Sequence, residues 1–143
     1  MVEQFRDEAS ATIQITEEGR PRRLRAVVQD EFYKIGSECI LNALQHAHAA
    51  HINADVIYGR RFFRLRFRDD GRGISEDVVR AGHRSGHWGL PGMKERAQCL
   101  GAKLHIWTAP GKGTEIDVRL PAAAAYDRQP YRVRLRSFLQ RLY

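Results

Sequence analysis

A chain of 143 residues with a net charge of +7 has the length of one domain and enough material to bury a core. Its 43% hydrophobic residues are dispersed, with no apolar run near the roughly 20 residues of a membrane span, and "MVEQFRDEAS" at the start lacks the apolar core of an export signal, so a cytoplasmic location is expected. The charge invites a nucleic-acid reading, but residues 122–143 carry five Arg against one Asp, so more than half of the excess belongs to a basic tail.

In chain order, "ATIQITEEGRP" alternates Ile13 and Ile15 with polar neighbours and closes at Gly19 and Pro21, as a strand does at a turn. A long helix is predicted from about Val28. Phe32, Ile35, Gly36, Cys39, Ile40, Ala43, Leu44 and Ala47 recur at helical spacing on one face. "HINADVIYG" and "RFFRLRFRD" read as a hairpin through a Gly59-Arg60 turn. A short helix at "SEDVVRAG" would be capped by Ser75, and the Gly-rich "HRSGHWGLPG" reads as a loop. Leu90, Met93, Ala97 and Leu100 form the stripe of the next helix, with Pro91 near its start and Gly101 past its end. "KLHIWTA" and "GTEIDVRL" are closing strands joined by "PGKG". Cys39 and Cys99 both fall in apolar helical patterns and are expected to be buried thiols without metal or disulfide chemistry.

Strand, long helix, two strands, loop and helix, two strands predicts an α+β two-layer sandwich, a mostly antiparallel five-stranded sheet with helices on one face. A doubly wound sheet would need strand and helix to alternate throughout.

Four polar features stand out against that frame. Glu38, Asn42 and His46 are spaced as one helical stripe beside the apolar face, and a carboxylate with an amide one turn away suits a hydrated divalent ion. For His46 alone, a polar boundary residue is the better reading. In "RFRDDGRGI", Phe63, Leu65 and Phe67 point to the core and Asp69 falls on their side, which is costly for a carboxylate without a partner. Gly71 and Gly73 behind it serve a tight turn or the approach of a flat ligand. Gly86, Gly89 and Gly92 precede and open a helix, whose free amides form a phosphate site. Thr114, in step with Ile116, Val118 and Leu120, puts a hydroxyl on the core side as Asp69 puts a carboxylate there.

The ordered set "ECILNALQHA", "DDGRGI", "GHWGLPGMKERAQCLGAKL" and "PGKGTEIDVRLP" resembles the catalytic ATP-binding domain of bacterial sensor histidine kinases, the Bergerat fold shared with type II topoisomerases, over about residues 11–121. Its Glu-x-x-x-Asn helix is most similar to the nitrate-sensor-like subgroup. The resemblance implies Mg²⁺ and ATP as cofactors. Asp69 would accept the adenine amino group, with Thr114 holding a shared water, and Asn42 would ligate Mg²⁺ while Glu38 orients or polarises the attacking group. Gly71, Gly73 and Ile74 would line the purine, and Gly89, Leu90, Gly92 and Met93 would contribute at the phosphates, with His46 and Lys94 nearby. A lid is expected over about His83–Gly89, with two roles open for Trp88, packing on the nucleotide or anchoring the lid.

None of the six His has the setting of a phosphoacceptor, a His followed by an acidic residue. The resemblance therefore implies a catalytic fragment, residues 1–121 with a basic tail 122–143, whose partners are a dimerisation domain bearing the acceptor His and a response regulator. No specific nucleic acid is expected. The alternatives are a free-standing ATPase or serine kinase of the same fold, or a basic nucleic-acid binding module.

Overall fold

Five strands in the order β1-β2-β3-β5-β4 carry the chain in a computed structural model that describes residues 11–75 and 89–128. They are β1 (Thr12–Gly19), β2 (His51–Tyr58), β3 (Phe62–Asp69), β4 (Lys103–Thr108) and β5 (Thr114–Pro121). β1 runs parallel to β2 and every other pair is antiparallel, as expected of a mixed sheet with two hairpins. The β2–β3 turn is one residue longer than predicted. Gly59 pairs its amide with the Phe62 carbonyl at 2.9 Å, which leaves Gly59, Arg60 and Arg61 as the connection. The predicted helix beyond Ser75, most of the lid and the tail beyond 128 lie outside the described residues.

Register explains which side chains are buried. On the core face, Ile15, Ala54, Phe67, Ile116 and Ile106 form one row across the sheet, and Val56, Leu65, Val118 and Leu104 continue the next. The Phe63 ring lies tilted against those of Phe32 in the long helix and Tyr58, with centroids 5.0 and 5.4 Å away. Each such fully buried side chain contributes about 1.5–3 kcal/mol by leaving water.

The other face is polar, and its charges are organised. Asp55, buried by its neighbours, accepts from Thr16, from Arg66 at 3.0 Å and from Arg68 at 2.9 Å. Asp117 accepts from Arg64 Nε at 2.7 Å and from Arg64 Nη2 at 2.8 Å. The hydrogen bonds from Thr16 and Arg66, with the nearby guanidinium charges, hold the Asp55 carboxyl below its ordinary value despite the desolvation that opposes them. The alternating arginines of β3 are thus occupied within the sheet, which weakens the nucleic-acid reading of the net charge.

Helix α1 spans Ala26–Leu41 and buries Val28, Phe32, Ile35, Gly36 and Cys39. Its start lacks a side-chain cap. The Arg25 amide instead donates to the Ala125 carbonyl at 2.9 Å, because α3 (Ala122–Ala125) and the residues after it return over the sheet. Ala125 and Tyr126 are buried there, the Tyr126 hydroxyl donates to the Gly59 carbonyl at 2.8 Å, and Arg22 lies over its ring. Residues 122–127 therefore pack with the body, beyond the 121/122 boundary expected from composition.

Past Leu41 the helix does not continue as a regular α-helix. Asn42–His46 form a π-helical turn in which the Ala47 amide reaches the Asn42 carbonyl at 3.0 Å, so the four-residue stripe of Glu38, Asn42 and His46 is interrupted after Asn42. Helix α2 (Leu90–Leu100) ends at Gly101 in the left-handed conformation, where the Ala102 amide bonds the Ala97 carbonyl at 2.8 Å. Of the cysteines, Cys39 is buried with its thiol 3.7 Å from the Met93 sulfur, whereas Cys99 is exposed on α2 because it falls one step off the Leu90–Met93–Ala97 stripe.

Candidate functional site

The last row on the core face is where the apolar pattern gives way. Ile13, Ile52, Asp69, Thr114 and Thr108 stand side by side across the strands, a carboxylate and two hydroxyls closing a stack of hydrocarbon rows. Asp69 is only half-buried, and the Gly71 amide donates to its Oδ1 at 2.9 Å. Burial pushes its carboxyl above the ordinary value. The Gly71 and Thr114 amides pull it down in part, and Asp70 adds to the rise.

Thr114 has a partner the sequence did not reveal. Its Oγ1 lies 2.9 Å from Thr108 Oγ1, which also accepts the Ile74 amide at 2.7 Å and lies 3.2 Å from the Gly113 carbonyl. Thr108 thus ties the β4–β5 end to the segment after Gly73. The signal was present in "KLHIWTA", where Thr108 keeps step with Leu104 and Ile106, but its importance depends on pairing with Thr114.

The glycines after Asp69 are accounted for by close approach of the chain to itself. A β-carbon on Gly71 would meet the Ala47 side chain and carbonyl, and Gly73, at φ 76°, has the Ala109 carbonyl against its α-carbon. The loop is further bound through the Arg72 amide to the Ala47 carbonyl at 3.0 Å, and through the Gly111 amide to the Arg72 carbonyl at 2.8 Å. Ile74 is buried in the core.

Facing this rung is the C-terminal half of α1. Cys39 is desolvated and feels both Glu38 and Asp69, which together push its thiol far above its ordinary value, so it is a neutral packing group between two carboxylates. Asn42 is buried and His46 half-buried. Glu38 reaches the start of α2, with its carboxylate against the α-carbon of Gly89, a residue at φ 66°. Among the described residues no side chain caps α2 at its N-terminus, and Pro91 has no amide to offer. The amides of Leu90 and Gly92 therefore lack an intrahelical acceptor by position, whereas that of Met93 is bonded to the Gly89 carbonyl at 3.0 Å. Met93 differs from expectation in this respect, since its side chain packs in the core on Cys39. Lys94 is exposed.

The fold thus brings Glu38 to Gly89, and Asp69 to Thr114 and to the α1 face, from four separate segments of chain. Among the described residues no cluster of three or more His, Cys, Asp or Glu could enclose a metal. Among the described residues Glu38 and Asn42 offer a carboxylate and an amide oxygen, a donor set that fits Mg²⁺ retained on phosphates and water. An open pocket of about 560 Å³ at this end of the sheet is lined by Asp69, Thr108 and Thr114 of the rung together with Arg68, Trp107 and Lys112; Asn42, Gly71, Ile74 and Leu90 do not line it.

A family model described as histidine kinase-, DNA gyrase B-, and HSP90-like ATPase matches residues 27–124. Among curated proteins, the sensor protein VraS of Staphylococcus haemolyticus is 31% identical over 94 residues, which are 66% of this chain and 26% of that protein. VraS of Staphylococcus saprophyticus is 32% identical over 95 residues, with the same shares. The chain spans about a quarter of the length of these relatives. Among solved structures, the histidine kinase domain of the Erythrobacter litoralis EL346 blue-light activated histidine kinase superposes with a TM-score of 0.61 at 25% identity, covering 78% of this chain and 52% of that one. The ATP binding domain of PrrB from Mycobacterium tuberculosis shares the fold at a TM-score of 0.60 and 20% identity, covering 78% and 80%.

Proposed function

The chain belongs to the histidine kinase-, DNA gyrase B- and HSP90-like ATPase family, and on that premise we propose that it is the Mg·ATP-binding catalytic domain of a cytoplasmic two-component sensor histidine kinase of the nitrate-sensor-like kind, serving a phosphoacceptor His on a separate dimerisation domain and, beyond it, a response regulator. The observation that carries the reading is the end rung of the sheet. A carboxylate and a hydroxyl stand there on the core side, opposite a helix bearing Glu38 and Asn42 and next to the uncapped start of α2.

In this reading Asp69 accepts a hydrogen bond from the exocyclic amine of adenine. That partner compensates the carboxylate that burial disfavours, and guanine, with a carbonyl at the equivalent position, is rejected. Thr114 fixes a water beside it. Gly71, Gly73 and Ile74 shape the wall around the base. The amides of Gly89, Leu90 and Gly92 receive the phosphates, to which a helix start is suited; Lys94 adds positive charge at the rim, and His46 a hydrogen-bonding ring. Asn42 would hold Mg²⁺, which would supply charge neutralisation on the phosphates. Glu38 orients the attacking imidazole of the acceptor. Such chemistry depends on positioning and electrostatics, so nucleotide binding survives in the chain by itself while transfer waits for the acceptor domain.

Incubated alone with labelled Mg·ATP, the chain is expected neither to label itself nor to release phosphate above background. Mixed with the dimerisation domain of a sensor kinase of this family, it should place an acid-labile label on that domain. Acid-stable label on serine, or turnover by the chain alone, would contradict the assignment and favour a serine kinase or a free-standing ATPase.

A further inference from the structure

Asp70, immediately after the carboxylate at the end rung, has no role in the nucleotide reading, yet it is among the most heavily hydrogen-bonded side chains at this end of the sheet. Its Oδ1 accepts the Ala50 amide at 2.9 Å and the His51 amide at 2.8 Å, and its Oδ2 lies 2.6 Å from His51 Nδ1. Its own amide donates to the His51 carbonyl at 3.2 Å. All four contacts reach His51, the first residue of β2, and Ala50 just before it. Those residues come a few positions after the π-helical turn Asn42–His46.

The adjoining contacts bind the same two segments. The Arg72 amide donates to the Ala47 carbonyl, and Gly71 packs on the Ala47 side chain. Residues 70–72 and 47–51 are therefore stapled to one another, with Asp69 at the edge of the first segment and Asn42 a turn before the second. The interactions with His51 and Ala50 also hold the Asp70 carboxyl below its ordinary value against a desolvation that would raise it, so it remains an ionised acceptor.

We infer that Asp70 is a positioning residue, the staple that holds the adenine-recognising Asp69 in register with the Asn42 end of α1. The inference rests on the nucleotide reading above. Loss of the staple lets the Asp69 loop move relative to the helix, and since recognition of a base needs geometry held to within about half an ångström, selectivity suffers together with affinity.

The test compares the intact chain with Asp70→Ala and Asp70→Asn by titration of Mg·ATP and Mg·GTP, together with backbone hydrogen exchange in the absence of nucleotide. Asp70→Ala should weaken ATP about tenfold, lower the ATP-to-GTP preference, and speed exchange at Gly71, Arg72 and Ala50 while Leu65 and Val118 exchange as before. Asp70→Asn keeps an oxygen for the two amides and should bind nucleotide within about threefold of the parent. Equal weakening of both nucleotides with an unchanged preference would reduce Asp70 to a structural residue, and unaltered exchange at Gly71 and Arg72 would remove the staple itself. Failure of the parent to bind Mg·ATP would instead overturn the nucleotide reading, and with it this role.

Discussion

Replacing Asp69 by Asn is expected to weaken Mg·ATP binding by on the order of 100-fold while leaving the melting temperature of the nucleotide-free chain equal to or above that of the parent. The first half follows from hydrogen-bond polarity. The carboxylate presents acceptors only, whereas the amide can turn a donor toward the adenine amine, and a lost bond to a charged acceptor is worth about 1.5–3 kcal/mol, with more where the substrate's own polar group is left buried. The second half follows from linkage. Burial raises the Asp69 carboxyl above its ordinary value, so between the unfolded and folded pKa values the folded chain binds more protons than the unfolded one. Stability contributed by this group therefore falls as the pH rises through that window, and at neutral pH the ionised side chain opposes folding. Removing its charge relieves that opposition. Titration calorimetry and thermal melts at pH 7 read both halves. A variant that binds ATP like the parent would remove Asp69 from the site, and one that loses affinity only because it melts would contradict the linkage.

Gly89→Ala carries the second large effect. Gly89 has φ 66°, which costs an L-residue about 1–2 kcal/mol, and its new β-carbon would collide with the Glu38 carboxylate. Both consequences fall on the junction where α1 meets the start of α2. Stability should drop by at least the backbone term, and nucleotide affinity should fall about tenfold as the Leu90 and Gly92 amides are displaced. Gly92→Ala supplies the contrast. Among the described residues nothing lies within 4 Å of a β-carbon there, the position is helical, and its amide is retained. That variant should be as stable as the parent or up to about 1 kcal/mol more stable, with affinity preserved. Should the two glycines respond alike, the close packing of Glu38 on Gly89 would not be what fixes this end of the helix.

Features governed by strict alternation were legible in the sequence. Phe63, Leu65 and Phe67 face the core as read, Asp69 ends their row, and Thr114 lies directly opposite Asp69, because the two-residue period of a strand determines the face with no knowledge of its neighbours. The five-stranded α+β sheet followed from the order of such segments. What the sequence concealed depends on contacts between distant segments. Thr108 matters because β4 pairs with β5, Gly71 because Ala47 lies against it, and residues 122–127 because Leu24 and Gly59 receive Tyr126. Helical periodicity proved a weaker guide at its margins. It extended a regular helix through the π-helical turn at Asn42–His46, and it buried Cys99, which stands one position off the stripe and faces solvent. Of the two readings open for Gly71 and Gly73, a tight turn or the approach of a flat ligand, the turn is accounted for by close contacts with Ala47 and Ala109.

The central claim, that the end rung of the sheet reads adenine, is met most directly by calorimetric titration of Mg·ATP and Mg·GTP into the purified chain. The account predicts saturable binding of ATP and at least a tenfold preference over GTP, because a single acceptor aimed at the exocyclic amine distinguishes the two bases. Equal affinity for the two nucleotides, or no binding of either, would contradict it.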